Sequence, residues 1–122
     1  MGPTLARMAR RALNPARRVI AVSRFSDPTL RERLESQGVS TEPADLLDPA
    51  ALARLPDAPN VIFMAGQKFG TEAAKHVTWA VNTIVPSLVA TRFAGARIVV
   101  FSTGNVYPLT PVSTVGPDED HP

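Results

Sequence analysis

The stretch FSTGNVYP at 101–108 runs an apolar segment into a hydroxyl pair, a glycine and the chain's single tyrosine, Tyr107. Hydroxyls both donate and accept hydrogen bonds, so Ser102 and Thr103 suit an active-site edge; the plainer alternative is a strand that ends in a turn. A second candidate is Ser23-Arg24, which closes another apolar run. A guanidinium there matches phosphate geometry, or else is a surface arginine after a strand. A third is Asn82, four residues before Pro86. Proline has no N–H, and in a helix that N–H would bond the carbonyl of residue 82. The carbonyl is then left free for a water or a cofactor hydroxyl, or the resulting kink simply fills with solvent. His76 reads as a surface helix residue rather than a base.

These residues need elements to hold them. Leu5, Met8, Ala9, Ala12 and Leu13 form one apolar stripe of a helix, with the arginines off the stripe. Pro3 suits its first turn and Asn14-Pro15 ends it. RVIAVS at 18–23 reads as a buried strand. Asp27-Pro28 starts a helix that Gly38 stops near Gln37. A short strand follows at 39–42, and Asp48-Pro49 opens the short helix PAALARL. NVIFMAG at 60–66 is a strand, 71–94 a long helix and ARIVVFS at 96–102 a fourth strand, before a Pro-rich acidic tail.

Across its 122 residues the chain is 44% hydrophobic and 20% charged, which predicts one globular α/β unit. The absence of cysteine excludes disulfides and thiolate metal sites, and two distant histidines, His76 and His121, argue against structural zinc. No apolar run reaches the ~20 residues that span a bilayer. Net charge is +2, yet Arg7, Arg10, Arg11, Arg17 and Arg18 all precede the first acid, Asp27. That segment could be a transit peptide or a nucleic-acid patch; the stripe favours a solvated helix face. The expectation is a cytoplasmic protein with neither a nucleic-acid nor a membrane partner.

Apolar strands alternating with helices predict a parallel sheet covered on both faces, of the doubly wound, Rossmann-like kind. Such sheets start with a strand, which becomes the centre of the 3-2-1-4-5 order, and this chain starts with a helix. The strand pairs 19–23 with 39–42 and 60–65 with 97–102 would then lack a joining neighbour, leaving two inner edges open. The expectation is an incomplete sheet belonging to a longer protein, with Met1 an internal methionine; the alternative is a fold that manages without a central strand. Gly2 heads the first helix as the last glycine of a phosphate loop would. Ser23 and Arg24 lie where an acid would bond the ribose of NAD, about 20 residues past that loop, and the arginine favours NADP over NAD.

Five stretches, in order, carry a family resemblance: GPTLARMARRA, ADLLDPAAL, VIFMAGQKFG, WAVNTIVPSLVA and IVVFSTGNVYP. The chain resembles the extended short-chain dehydrogenase/reductase family, the NAD-dependent epimerase/dehydratase group acting on nucleotide sugars. The resemblance implies that Asp45 and Leu46 sit at the adenine ring. Ala65 and Gly66 would lie under the cofactor, and Lys68 would reach it unless it is a solvated loop lysine. Asn82 matches the family's helix asparagine, and Thr103 its catalytic Ser/Thr, which bonds the substrate hydroxyl or carbonyl. The family more often has glycine and threonine at the positions of Val85 and Pro86.

The family's chemistry also needs a tyrosine acid/base with a lysine four residues on. Four residues past Tyr107 stands Pro111, so Tyr107 matches the tyrosine that follows the catalytic Ser/Thr. Residues 1–108 are expected to be a partial NAD(P)-binding domain, with 109–122 a loop toward the catalytic helix and the substrate region. The intact protein would act on a nucleotide sugar or a similar hydroxyl or keto substrate, as an epimerase or reductase. Gly104 and Asn105 stand where dehydratases carry Asp-Glu, which disfavours dehydration. The alternative is a non-catalytic NAD(P)-binding regulatory module. Trp79, Ile84, Leu88, Val89 and Phe93 are expected in the core, or in a homodimer face along the 71–94 helix.

Overall fold

The structure, a computed structural model, describes residues 1–13, 16–67, 74–102, 107, 110, 111, 113–118 and 120. The element order is α1 (Gly2–Ala12), β1 (Ile20–Ser23), α2 (Pro28–Glu35), β2 (Ser40–Pro43), α3 (Pro49–Ala53), β3 (Asn60–Phe63), α4 (Lys75–Trp79), a π-helical segment (Ala80–Ile84), α5 (Val85–Arg92) and β4 (Arg97–Val100).

Two helices start the same way. The Asp27 carboxylate accepts from the Thr29 N–H at 2.9 Å and the Asp48 carboxylate from the Ala50 N–H at 2.9 Å. Each satisfies an orphan donor, and the following proline occupies the first turn, where no N–H is needed. α2 stops at Gly38, whose φ of 77° suits a residue without Cβ. There the Val39 N–H bonds the Leu34 carbonyl and the Gly38 N–H that of Glu35, a Schellman closure. Its apolar partners, Leu34 and Val39, are both buried.

The strands form two separate two-stranded parallel sheets. In one, Ile20 pairs with Ser40 and Ser23 with Pro43; in the other, Asn60 pairs with Arg97 and Phe63 with Val100. Among the described residues no ladder joins the two sheets. The fold is therefore α/β with parallel pairing, in two halves.

Within each sheet the two strands run parallel. At its start, α1 brings Gly2 to Met64, just past β3, with 3.8 Å from an ideal Cβ on Gly2 to Met64 Cε. At its far end, Arg10 Nε donates to the Gly38 carbonyl at 3.1 Å, just before β2. α1 thus reaches from the carboxyl end of β3 to the amino end of β2.

The main core gathers Ala44, Leu52, Leu55, Phe63, Val85 and Val89. Successive strand residues face opposite sides. Phe63 and Val61 therefore meet the α3/α5 side, while Ile62 and Met64 face the α1 side. That second side is poorly covered. Ile62 is 47% exposed and Met8, on the stripe of α1, 60%. No residue of α1 is buried. This corrects the expectation of a sheet covered on both faces: each sheet has two strands, too narrow a platform to bury a helix stripe.

The long helix is also corrected. Its stretch at 71–73 lies outside the described residues, and the rest is interrupted by the π-helical segment. The Val85 N–H bonds the Ala80 carbonyl, five residues back, in place of an α-helical bond. Pro86 cannot donate, and the chain takes up an extra residue in the preceding turn. Val89 is buried, but Trp79 is 65% and Ile84 54% exposed, so these two are not core residues.

Candidate functional site

Among the described candidates, Ser23-Arg24, Asp45-Leu46 and Ala65-Gly66 stand at or just past the carboxyl ends of β1, β2 and β3, Gly2 heads α1, and Asn82 lies in the π-helical segment. Open α/β sheets bind ligands in the crevice at that edge. Gly2 is the first residue of α1 and lies beside Met64. The amides of such a helix start point outward, with the positive end of the helix dipole behind them.

Ser23 ends β1, and its Oγ accepts from the Phe25 N–H at 3.4 Å. Phe25 has a φ of 48°, left-handed backbone that a residue with a Cβ seldom adopts. The tight turn leaves Arg24 exposed, with no ion pair among the described residues. A free guanidinium of this kind fits a phosphate.

Asp45 and Leu46 follow β2. One Asp45 carboxylate oxygen accepts from the Leu47 N–H at 3.0 Å and the Asp45 carbonyl from the Asp48 N–H at 3.1 Å. This Asx turn fixes an exposed carboxylate whose other oxygen is available to a donor. Leu46 is half-buried and packs on the main core.

Ala65 and Gly66 follow β3, and both are exposed. Just beyond them the Asn82 amide clamps the backbone of Gln67. Its Oδ1 accepts from the Gln67 N–H at 2.8 Å and its Nδ2 donates to the Gln67 carbonyl at 2.8 Å. The clamp reproduces a strand-like pairing with a side chain. An ideal Cβ on Gly66 would lie 3.6 Å from Asn82 Oδ1, so the glycine passes close under the clamp. The sequence points to the backbone carbonyl of residue 82; in the structure the side chain is the group that reaches the loop after β3. The π-helical turn on which it sits is an irregularity often found at functional sites.

Ser102 is exposed just past β4, and Tyr107 is half-buried. Thr103 and Lys68 lie outside the described residues. Sequence reasoning missed the Phe25 turn and the Gln67 clamp. Nothing in the residue type of Phe25 signals positive φ, and an asparagine–backbone pair across 15 positions leaves no local trace.

Among the described residues, the one resolved titration shift is that of Glu35, on α2. Glu35 accepts from Thr41 and from Arg31, which hold its carboxyl below the usual carboxylate range. Among the described residues no cluster of His, Cys, Asp or Glu could hold a metal, and no helix is long and apolar enough to cross a membrane. Comparison with protein-family models, with curated proteins and with solved structures finds no match.

Proposed function

We propose that this chain is the cofactor-binding part of an NAD(P)-dependent oxidoreductase, an epimerase or reductase of the extended short-chain dehydrogenase/reductase kind, built on an incomplete Rossmann-like sheet. The observation that carries the reading is that Ser23-Arg24, Asp45 and Ala65-Gly66 each stand at or just past the carboxyl end of a strand in a parallel pair, with Gly2 at the head of α1 beside Met64. Ligands of open α/β sheets lie along that edge.

The residues present fit a dinucleotide. Arg24 would pair with a phosphate, which favours NADP over NAD, and the second Asp45 oxygen would accept from the adenine amino group. Ala65 and Gly66 leave room for a flat ligand, and Asn82 holds their loop in place through Gln67. Bound there, the nicotinamide supplies the hydride acceptor or donor. Thr103 would hydrogen-bond the substrate oxygen. No tyrosine–lysine pair at four-residue spacing occurs in this sequence, so the proton-transfer group is not among these residues. The same observation favours a second reading, a non-catalytic NAD(P)-binding module. A Tyr-x-x-x-Lys downstream in the same gene selects the enzyme, and its absence beside a Gly-rich strand selects the module.

Nuclear magnetic resonance titration with NADP and NAD tests the proposal. Weak binding is expected, with shifts confined to Gly2, Ser23, Arg24, Asp45 and Gly66, larger for NADP, and lost in Arg24→Ala. Absence of those shifts at about 10 mM NADP, an affinity floor of ~3 kcal/mol, would overturn it. Robust NADP-dependent turnover by these 122 residues alone would overturn the assignment to a cofactor-binding part only.

A further inference from the structure

We infer that the corner where α1 ends, beside the amino ends of β1 and β2, is a nucleic-acid surface. Its Arg7, Arg10, Arg11, Arg17 and Arg18 hold the phosphate backbone of a duplex without reading its bases. The inference goes beyond the cofactor reading and does not use it.

From sequence these arginines read as a solvated helix face; folded, the helix brings its own three to the two that follow it. α1 lies on β1, and its Leu5 and Met8 border Phe101, so the apolar stripe is turned to the strands. Each helical residue advances by about 100°, which puts Arg7, Arg10 and Arg11 on the side away from that stripe. Arg10 Nε donates to the Gly38 carbonyl at 3.1 Å, which pins the last turn of α1 beside the turn ahead of β2. The Ser40 N–H bonds the Val19 carbonyl at 2.9 Å, so the amino ends of β1 and β2 lie side by side. Arg17 and Arg18 lead into Val19 and so reach the same corner. Arg11, Arg17 and Arg18 are exposed.

The charge there has one sign. No acid precedes Asp27 in the chain. On α2, which ends at the same turn, Glu35 is held by Arg31 at 2.9 Å, and the exposed Glu32 stands beside the exposed Arg33. Among the described residues no ion pair occupies the five arginines. All are guanidiniums, whose planar fork matches phosphate oxygens. Arg7 and Arg11 are one turn apart, about 5–6 Å between Cβ atoms, comparable with the step between neighbouring phosphates of one strand. A helix that lies on a membrane turns its apolar side to the lipid, whereas here that side faces the strands and the arginines face out. Single strands are held by stacking on aromatic rings, and no aromatic residue precedes Phe25. A duplex backbone, with its dense line of phosphate charge, is the partner that fits. The corner lies at the opposite end of β1 from Ser23-Arg24, on the order of 10 Å away, so the two sites fill independently.

Fluorescence anisotropy with a short labelled DNA duplex tests this on the whole chain, without nucleotide cofactor. The expected Kd is about 10–100 µM at about 50 mM salt, equal for unrelated sequences, with log K falling against log salt at a slope of roughly −4. Arg11→Ala with Arg17→Ala should weaken binding by about tenfold and make the slope shallower by roughly 2. Arg54→Ala with Arg97→Ala removes the same charge elsewhere and should leave the slope unchanged. Circular dichroism checks that each variant keeps its helices; if the first pair loses them, Arg18→Ala decides, with a slope change of about 1. No binding at about 0.1 mM chain in low salt would overturn the proposal, since non-specific duplex affinity lies within that range. Equal weakening by the two variant pairs would also overturn it. Tighter binding to phosphatidylserine vesicles than to the duplex would assign the corner to a membrane instead. Absence of the NADP shifts would leave the duplex result untouched, so this inference and the function proposed above fail separately.

Discussion

The β1/β2 half and the β3/β4 half follow one plan, two parallel strands joined by a helical crossover, yet they are held together differently. In the β3/β4 half, α5 offers Val85 and Val89 one turn apart, and these meet Phe63, Leu52 and Leu55 in a shared core. In the β1/β2 half, α2 buries only Leu34, which pairs with Val39 at the Schellman turn. The rest of that contact is polar: Arg31, Glu35 and Thr41 hydrogen-bond to one another at the surface. Strand pairing alone does not make the halves equal. The difference is the apolar area that each crossover helix brings to its sheet.

The largest effect should fall on the better-packed half. Phe63→Ala should cost about 3–5 kcal/mol in urea unfolding, and Leu34→Ala about 2–3 kcal/mol. The exchange pattern should also differ. Phe63→Ala should expose amides in both halves, whereas Leu34→Ala should expose mainly Ile20–Ser23. Equal, chain-wide loss from the two substitutions would break the comparison.

A smaller effect sharpens it at the loop that follows β3. Asn82→Ala removes both bonds to Gln67, at roughly 1–2 kcal/mol, and should release the Gln67 amide to exchange while α5 keeps its protection. If the Gln67 amide stays protected, the clamp does not hold the loop.

The smallest effect lies in the polar half. Glu35 has a folded pKa below its unfolded one, first through Thr41 and then through Arg31. Its contribution is present above the ordinary glutamate range, near pH 4.3, and is lost as pH falls through the depressed folded value. Being at the surface, it should matter little. Glu35→Gln should slightly flatten the acid limb of stability below the ordinary glutamate range and leave the β3/β4 half unchanged. An unaltered acid limb would remove Glu35 from the α2–β2 contact.

Much of this layout is legible in the residues. Asp-Pro at 27–28 and 48–49 marks two helix starts, Gly38 a helix stop, and the apolar runs the four strands. The expected incomplete sheet, without its central strand, accords with the two strand pairs, which no ladder joins among the described residues. Other features are not legible. The stripe of α1 announces an amphipathic helix but not how little sheet lies beneath it. Pro86 signals trouble in its helix, yet a kink and an added π turn both answer a missing N–H. Exposure of Trp79 and Ile84 depends on which way that turn rotates the helix. For the candidate edge, Arg24 and Gly66 are visible as types, whereas the Asn82–Gln67 pairing exists only once the fold brings them together. Thr103 and Lys68 fall outside the described residues.

The π-helical segment Ala80–Ile84 also has a consequence for insertions and deletions. It holds one residue more than a regular α-helical ladder needs. Each helical residue turns the chain by about 100°, so deleting one residue there would remove the π turn and swing everything before it around the axis. Val85 and Val89 could stay seated on the core while Asn82 lost its aim at Gln67. A chain of otherwise similar sequence but one residue shorter at this point would keep the scaffold and lose the clamp. Alignment gaps at 80–84 thus distinguish chains that share the fold from chains that share the edge.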